Sequence, residues 1–236
     1  MKASVIIPAF NEATSIGLVL DEIPRDDVEE IIVVDNGSTD QTAAVADQHG
    51  ARVVREVERG YGSACIKGMA SIEAQTDIVV VLDGDHSDYP EDLPLLLAPI
   101  QSGAADFVMG SRVLGEAESG ALQWNQRLGN ALACSLIRWL YGVRFSDMGP
   151  FRAMRRDKLT ALGMRDRNYG WNAEMQVKAI AAGLRILEVP VRYRRRVGTS
   201  KISGTVKGTV LAGAKIIGAI LGYYPRFRRS RVNPKR

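Results

Sequence analysis

The stretch VVVLDGDHSDYP, residues 79–90, joins an apolar run to three closely spaced aspartates. Its first residues are all apolar, which is typical of a strand buried on both faces of a parallel sheet. Asp83 and Asp85 lie two positions apart, so on an extended chain both carboxylates point to the same side. A divalent cation would remove the repulsion between them, and Gly84 would let the backbone approach a ligand closely. We therefore predict a metal site at the end of this strand.

Asp88 has a different interpretation, because Asp, Pro and Glu commonly begin helices. Asp88, Pro90 and Glu91 precede an apolar helical pattern, so we expect Asp88 to cap that helix. An EF-hand loop is excluded, since Asp88 stands where glycine is needed and Pro94 where glutamate is needed.

Apolar runs alternate with helical patterns through the first half of the chain. The predicted strands cover residues 4–9, 29–35, 51–56, 77–83 and 105–111. The predicted helices cover residues 14–23, 39–50, 62–74 and 90–100. Apolar strands joined by helices predict an α/β fold with a mostly parallel central sheet flanked by helices.

The second half of the chain, after Arg112, has a different pattern. A polar loop at 113–122, a long helix at about 123–141 and an irregular stretch at 142–156 come first. A helix near 170–182, a pair of strands near 185–194 and a helix from about 202 follow. We predict one α/β unit with a second half built on it.

The ends of three predicted strands carry polar residues, in PAFNE (8–12), DNGSTD (35–40) and DGDHSD (83–88). The carboxyl ends of parallel strands meet at one edge of a sheet, where ligands bind in open α/β folds. We expect these three segments to converge there. The glycines of ERGYGSA (58–64) predict a tight turn that opens a helix, because a dinucleotide fingerprint would follow the first strand and need a glycine in place of Cys65.

The composition argues against general nucleic-acid binding, since 31 basic residues against 27 acidic ones leave a net charge of only +4. The basic excess is concentrated at 192–196 and 226–236, which favours phosphate or anionic lipid as partners. Neither a signal peptide nor a run of about 20 apolar residues is found, and two cysteines without CxxC spacing suggest a reducing, cytoplasmic environment.

Eight motifs occur in order: VIIPAFNE, IIVVDNGSTDQT, RGYGSACIKGM, VVVLDGDHSDYPEDL, VMGSR, SDMGPFRAMRR, GWNAEMQVKA and RRVGTSK. Together they resemble the family 2 nucleotide-sugar glycosyltransferases of the dolichyl- or polyprenyl-phosphate mannosyl- and glucosyltransferase type, over roughly residues 3 to 205. The resemblance implies a GT-A fold and an inverting, Mg²⁺- or Mn²⁺-dependent transfer of a hexose. The donor would be GDP-mannose or UDP-glucose and the acceptor a polyprenyl or dolichyl phosphate.

The resemblance also implies roles for individual residues. Those expected at the nucleotide sugar are Pro8, Phe10, Glu12, Val34, Asp35, Asn36, Asp83, Gly84, Asp85 and Arg112. The metal ligands would be Asp83 and Asp85, and the catalytic residues Asp85, Glu174, Arg195 and Lys201. Arg127 and Ser200 would contact the acceptor phosphate. Glu174 would serve as a base for a hydroxyl acceptor, or orient the acceptor or a basic residue if the acceptor is a phosphate.

The implied organisation has three parts. Residues 1–112 would bind the donor, 113–201 the acceptor, and 202–236 would form an apolar helix with a basic tail. The apolar segment 210–224 is followed by basic residues in 225–236, which predicts peripheral attachment to the cytoplasmic face of a membrane. The alternative is that 210–224 packs on the protein's own core.

Two other functions remain open at this stage. The same fold could act on a soluble hydroxyl acceptor, such as a small glycoside or a glycerate, or the protein could bind a nucleotide sugar without catalysis. The oligomeric state is not indicated by the sequence.

Overall fold

A computed structural model describes residues 1–198 and 206–232, without the side chains of 206–211, 226 and 229–232. The strands are β1 Ala3–Ala9, β2 Val28–Asp35, β3 Arg52–Arg55, β4 Ile78–Val81, β5 Phe107–Ser111, β6 Arg152–Arg155 and β7 Ile186–Pro190. The helices are α1 Ile16–Asp21, α2 Thr42–Gln48, α3 Tyr61–Ser71, α4 Leu93–Gln101, α5 Trp124–Tyr141, α6 Arg156–Leu162, α7 Trp171–Ala181 and α8 Val206–Val232. A short 3₁₀ turn, Pro90–Asp92, precedes α4.

The seven strands form one sheet in the order β3-β2-β1-β4-β6-β5-β7. Every neighbouring pair is parallel except the two that involve β6. The mostly parallel sheet flanked by helices confirms the predicted fold class. Because β6 and β7 belong to the same sheet as the first five strands, the two halves of the chain share one sheet.

The antiparallel strand β6 lies in a stretch for which the sequence predicted irregular structure, so that prediction was wrong. Ala153 pairs with Val80 of β4 and Val108 of β5, which places β6 between them. The sequence RAMR has no strand pattern, since its arginines suggest a surface. The buried Arg152 satisfies its guanidinium with the carbonyls of Gly149 and Asn172, at 2.7 and 2.8 Å. The same stretch continues into α6, which was also not expected.

The pair of strands predicted near 185–194 is a single strand, β7. Beyond it, in the described residues, Tyr193 forms only isolated bridges with Asp88 and Ala117. The helix predicted from residue 90 begins with the 3₁₀ turn, and Tyr89, not Asp88, occupies its N-cap position. The prediction that Asp88 caps this helix is therefore wrong.

The sheet is buried on both faces. Val5 and Ile7 of β1 pack with α1, α2 and α4, while Ile6, which points the other way, packs with α3 and α7. A third apolar cluster joins α5, α7 and α8. These layers leave the carboxyl ends of β1, β2 and β4 open at one edge of the sheet.

The described part of α8 packs on the protein itself. Ile220 and Phe227 are buried, the Tyr141 hydroxyl donates to the Ile220 carbonyl at 2.6 Å, and the Tyr141 and Phe227 rings lie 4.8 Å apart. This is the arrangement that the sequence left open as the alternative to membrane insertion of 210–224. Of the helices that the structure describes, none combines the length and apolar character needed to cross a bilayer.

The predicted turn before α3 is confirmed, with Gly60 at the N-cap and at φ +145°. A Cβ on Gly60 would lie 2.0 Å from the Arg167 carbonyl oxygen, and one on Gly62 would lie 1.9 Å from that of Asp166. The Ser63 amide donates to the Arg167 carbonyl at 3.0 Å. Glycine thus lets the start of α3 meet the loop before α7.

We predict that Gly62→Ala destabilises the protein although alanine favours helices. The introduced methyl group must displace a backbone carbonyl, and we expect the free energy of unfolding to fall by about 2 kcal/mol or more. Gly129→Ala is the matched control, because Gly129 is exposed within α5 and its Cβ would meet nothing within 4 Å. Its free energy of unfolding should rise by about 0.5–1 kcal/mol. Urea denaturation measures both; equal effects would contradict the close contact at Gly62.

Candidate active site

A cavity of about 420 Å³ lies at the carboxyl ends of β1, β2 and β4. The three polar segments that the sequence predicted to converge all contribute to its wall. Its lining residues are Pro8, Ala9, Phe10, Glu12, Asn36, Arg59, Gly60, Tyr61, Asp83, Gly84, Asp85, Asn168, Tyr169 and Arg196. We call this space the donor cavity. Asn168, Tyr169 and Arg196 come from the second half of the chain, so the cavity is completed by both halves.

Side-chain hydrogen bonds hold the loops after β1 and β2 together. Asn11 has a positive φ of 54°, a conformation that Asn adopts more readily than most residues. Its side-chain carbonyl oxygen accepts from the backbone N–H of Thr39 at 2.8 Å, and its backbone N–H donates to the Ser38 hydroxyl at 2.9 Å. Asp35 accepts from the Ser38 amide at 2.9 Å. The polar residues of DNGSTD thus fix the loop that forms one side of the cavity.

Asn36 forms the link to the turn before α3. Its amide group donates to the carbonyls of Glu56 and Glu58, and its carbonyl oxygen accepts from the Gly60 amide at 2.8 Å. The carboxamide is therefore engaged in shaping the cavity. Of the other residues predicted at the nucleotide, Val34 is fully buried in the core and Asp35 is nearly so, and neither lines the donor cavity.

Asp83 and Asp85 lie side by side in the donor cavity but differ in their contacts. Asp85 accepts from the Ser87 amide at 3.0 Å and forms an ion pair with Arg196. Among the described residues, Asp83 Oδ1 is buried and has no hydrogen-bond partner, while part of the residue faces the cavity. Burial, and secondarily the charge of Asp85, raises the pKa of Asp83 to about 7.

A third carboxylate lies buried nearby. Both side-chain oxygens of Asp88 are buried, and neither has a hydrogen-bond partner in the part of the chain that the structure describes. Burial and then the charge of Asp83 raise its pKa well above the usual value for aspartate. The bridge to Tyr193 covers Asp88 with the chain that follows β7. Ionising these carboxyl groups together is therefore unfavourable, and a bound cation would reduce that cost.

The pair of Asp83 and Asp85 fits a divalent cation, because within residues 1–198 and 206–232 Asp83 Oδ1 has no hydrogen-bond partner and Asp85 forms an ion pair with Arg196. Within the described ranges, 1–198 and 206–232, no group of three His, Cys, Asp or Glu side chains is arranged to hold a metal. Two carboxylates would therefore supply the protein ligands, and phosphate oxygens or water the remaining ones.

Arg196, which the sequence analysis did not select, is the basic residue at this carboxylate pair. The Arg194 amide donates to the Ser87 carbonyl and the Val197 amide to the Asp85 carbonyl, so residues 194–197 run alongside the aspartates. The neighbouring Arg195 is exposed, and its guanidinium binds the Ser119 carbonyl at 2.6–2.9 Å outside the donor cavity. Such long-range pairing has no signal in the sequence. Ser200 and Lys201 lie outside the described residues.

Glu174 is fully buried and does not line the donor cavity. It accepts from the amides of Arg165 and Asp166 and from the Tyr223 hydroxyl at 2.5–3.0 Å, and pairs with Lys178 at 2.7 Å. Burial favours the neutral form, but the bonds from Lys178 and Tyr223 outweigh it and lower the pKa. The structure thus places Glu174 as a support for the loop before α7, where the sequence analysis expected a base or an orienting residue.

A second cavity of about 640 Å³ lies beside α5. Four arginines contribute to its wall: Arg112, Arg127, Arg138 and Arg144. Arg112 makes two parallel bonds of 2.7 Å to Asp147, and its guanidinium carbon lies 5.0 Å from the centre of the Tyr193 ring. Arg127 is exposed and bonds the Leu122 carbonyl at 3.2 Å. We call this space the arginine cavity.

Arg112 was expected at the nucleotide sugar but lines the arginine cavity, not the donor cavity. Its charge nevertheless acts on both sides, because it lowers the pKa of Asp83 and of Asp88 against the effect of their burial. Arg127, expected at the acceptor phosphate, lies in the same arginine cavity. Arg112 thus lines the arginine cavity and acts by its charge on Asp83, which lines the donor cavity.

The sequence profile described as Glycosyl transferase family 2 matches residues 4–163, which is more than half of the chain. The chain belongs to this family. It is accordingly an enzyme that transfers a glycosyl group, and the non-catalytic binder considered from the sequence is set aside. The matched region contains β1 to β6 and both aspartates of the donor cavity.

Individual relatives agree with this assignment. An uncharacterised glycosyltransferase of Mycobacterium tuberculosis is 40% identical over 89% of this chain and 93% of its own length. An undecaprenyl-phosphate mannosyltransferase of Micrococcus luteus is 32% identical over 88% of this chain and 90% of its own length. Among solved structures, M. tuberculosis glucosyl-3-phosphoglycerate synthase with Mn²⁺, UDP-glucose and phosphoglyceric acid is 26% identical, with a TM-score of 0.77 over 95% of this chain and 80% of that one.

The pKa of Asp83 predicts a pH dependence of stability. The folded protein binds a proton at Asp83 up to pH about 7, the unfolded chain only up to about 3.8. In EDTA, the free energy of unfolding should therefore fall as the pH rises between these values. Asparagine does not ionise, so Asp83→Asn should lack this fall in the free energy of unfolding. The Tm of the variant relative to that of the wild type should therefore be higher at pH 8 than at pH 5.

Asp106→Asn is the control, because Arg185 lowers the pKa of Asp106 to about 2. The stabilisation that ionised Asp106 contributes is complete above pH about 4. The Tm difference between Asp106→Asn and the wild type should therefore be the same at pH 5 and 8. If the Tm difference between Asp83→Asn and the wild type were also the same at pH 5 and 8, this would contradict the raised pKa of Asp83.

The two neighbouring arginines give a second prediction. Arg196→Ala should lower kcat/KM about ten- to a thousandfold, because Arg196 is the cation beside the carboxylate pair where leaving-group charge would develop. Arg195→Ala should change it less than about threefold, since its guanidinium lies outside the donor cavity and such exposed contacts contribute little. Steady-state kinetics at fixed metal concentration decide; the reverse order would show that catalysis uses a different arrangement of residues 194–197.

Proposed function

We propose that the protein transfers a hexose from a nucleoside-diphosphate sugar to a polyprenyl phosphate, with inversion at the anomeric carbon. The observation that carries the proposal is a pair of chemically different cavities, linked by the charge of Arg112 on Asp83. The donor cavity holds a pair of carboxylates, and the arginine cavity holds four arginines. A metal-bound diphosphate fits the first, and a second, separate phosphate fits the second.

The donor would lie across the carboxyl ends of β1 and β4. Arg59 stacks over the Phe10 ring at 3.8 Å on the wall of the cavity and offers a flat surface for a base. Asp83 and Asp85 would hold Mg²⁺ or Mn²⁺, and Gly84 lines the cavity between them. The cation would supply positive charge to the diphosphate.

The acceptor phosphate would enter the arginine cavity, where Arg127 and Arg112 offer guanidinium groups. A phosphate oxygen attacks the anomeric carbon, and the bond from that carbon to the β-phosphate oxygen breaks. The electron pair of this bond leaves with the nucleoside diphosphate. A phosphate is already ionised at neutral pH and needs no base, which agrees with the buried position of Glu174.

Arg196 would act at the leaving group. Its guanidinium pairs with Asp85, and it lines the donor cavity. A guanidinium at this place can donate hydrogen bonds to the departing diphosphate and stabilise its developing charge. The acceptor proposal is supported by the undecaprenyl-phosphate mannosyltransferase relative.

A soluble acceptor is the second candidate. The solved structure of glucosyl-3-phosphoglycerate synthase contains phosphoglyceric acid, a small molecule that also carries a phosphate. The arginine cavity could bind the phosphate of either acceptor. The two candidates differ in the nucleophile, because a glycerate hydroxyl must lose a proton during the reaction.

The experiment that tests the proposal offers radiolabelled GDP-mannose or UDP-glucose with Mn²⁺ or Mg²⁺. Undecaprenyl phosphate and 3-phosphoglycerate are compared as acceptors. We expect organic-extractable label with undecaprenyl phosphate, none in excess EDTA, and a loss of at least about a hundredfold for Asp85→Asn. Arg127→Ala should raise the KM for the lipid while leaving metal-dependent donor binding unchanged.

The controls distinguish the two candidates. Label that enters only a water-soluble phosphoglycerate product would replace the lipid acceptor by the soluble one. Full activity in EDTA would contradict the metal-dependent reaction. Unchanged lipid KM in Arg127→Ala would show that the arginine cavity is not the acceptor site.

A further inference from the structure

A stripe of large apolar side chains runs along the outer surface of α5. Trp124, Leu128, Leu132 and Trp139 are 78%, 63%, 55% and 80% exposed. The first three are spaced four residues apart and the last seven further on, so they are neighbours on one face of the helix. Two nearly fully exposed tryptophans on one helix are unusual for a surface that faces only water. We call this surface the α5 stripe.

The stripe points directly away from the protein core. Each of its first three residues is followed nine positions later by a buried residue of α5. The pairs are Trp124 and Ala133, Leu128 and Ile137, and Leu132 and Tyr141. At about 100° per residue, nine positions are half a circle, so the exposed and buried faces are opposite. The described residues of α7 and α8 pack against the buried face.

The arginine cavity lies on the flank between these two faces. Arg127, Ala131 and Arg138 of α5 line it, and at about 100° per residue they fall between the exposed and buried positions. Val113, which is 55% exposed, also lines the cavity. The wall of the arginine cavity is therefore bordered by exposed apolar side chains on one side.

We propose that the α5 stripe docks on the surface of a bilayer that contains anionic phospholipids. The tryptophans fit the headgroup region, since each combines an apolar ring with an N–H group. The leucines would lie at the acyl boundary, as on an interfacial amphipathic helix. Arg127, Arg138 and Arg144 would face anionic headgroups.

Docking in this orientation has a consequence that rests on the proposed function. A polyprenyl phosphate keeps its chain in the bilayer and its phosphate at the surface. The arginine cavity beside the stripe would meet that phosphate without extracting the chain. The packed apolar face of α8 cannot serve this purpose in the described residues, because Ile220 and Phe227 are buried against α5 and α7.

Tryptophan fluorescence tests the docking directly. The chain has three tryptophans, of which Trp171 is fully buried and Trp124 and Trp139 belong to the stripe. We mix the full chain with phosphatidylglycerol–phosphatidylcholine vesicles that contain no polyprenyl phosphate. We expect a blue shift of the emission and quenching by brominated acyl chains. Emission from Trp171 should remain as the unquenched fraction.

A matched pair of variants tests whether the stripe is responsible. Leu128→Ser/Leu132→Ser should lower the vesicle partition coefficient about tenfold, because two apolar side chains no longer enter the interface. Leu18→Ser/Leu95→Ser is the control, since these leucines are exposed to a similar extent, 46% and 48%, on α1 and α4. Its partition coefficient should match that of the wild type, and circular dichroism confirms that both variants are folded.

Three outcomes would overturn the proposal. The first is an absence of any vesicle-induced change in emission at low salt. The second is equal binding by the two double variants. The third is a dimer of the wild-type chain in solution that Leu128→Ser/Leu132→Ser dissociates, because the stripe would then be covered by a second copy.

Transfer to a short, water-soluble polyprenyl phosphate separates this proposal from the proposed function. Transfer with normal kcat but no vesicle binding would refute only the docking. Vesicle binding without transfer to any phosphate acceptor would refute the lipid acceptor and leave the docking surface in place.

Discussion

The structure depends on the burial of like charges at the end of one strand. Asp83, Asp85 and Asp88 follow β4 closely, and Asp83 and Asp88 have buried oxygens without hydrogen bonds to any described residue. In a medium of low polarity such charges repel strongly and favour protonation. The fold offsets this cost with arginines from distant segments, Arg196 at Asp85 and Arg112 nearby. This arrangement of carboxyl groups and arginines is the basis of the proposed binding of a cation and a phosphate ligand.

The second half of the chain is arranged around this charge. Residues 194–197 run along the aspartates through backbone hydrogen bonds, and β6 enters the sheet between β4 and β5. The connection before β6 carries Asp147, which fixes Arg112 through two parallel hydrogen bonds. Glu174 ties the loop before α7 to the start of that helix and to α8. Residues of the second half thus contribute to the walls of both cavities.

Different faces of helix α5 are packed in the protein and exposed on its surface. One face of α5 joins the apolar cluster with α7 and α8, its flank lines the arginine cavity, and the opposite face presents tryptophan and leucine to the outside. Helix α5 thus contributes to an apolar cluster, to the arginine cavity and to the exposed surface. The position of Arg127 on the flank is a geometric result of its spacing from the buried residues of α5.

Much of the fold and part of the site follow from the sequence alone. Apolar runs, helical periodicity and the glycines before α3 determined the α/β architecture, because each reflects local backbone geometry and burial. The convergence of Pro8, Asn36, Asp83 and Asp85 followed from parallel strands sharing one edge. Only the tertiary structure decided that β6 is a strand, that Arg196 and not Arg195 meets Asp85, and that Glu174 is buried. These features depend on contacts between residues far apart in the chain, for which neighbouring residues carry no signal.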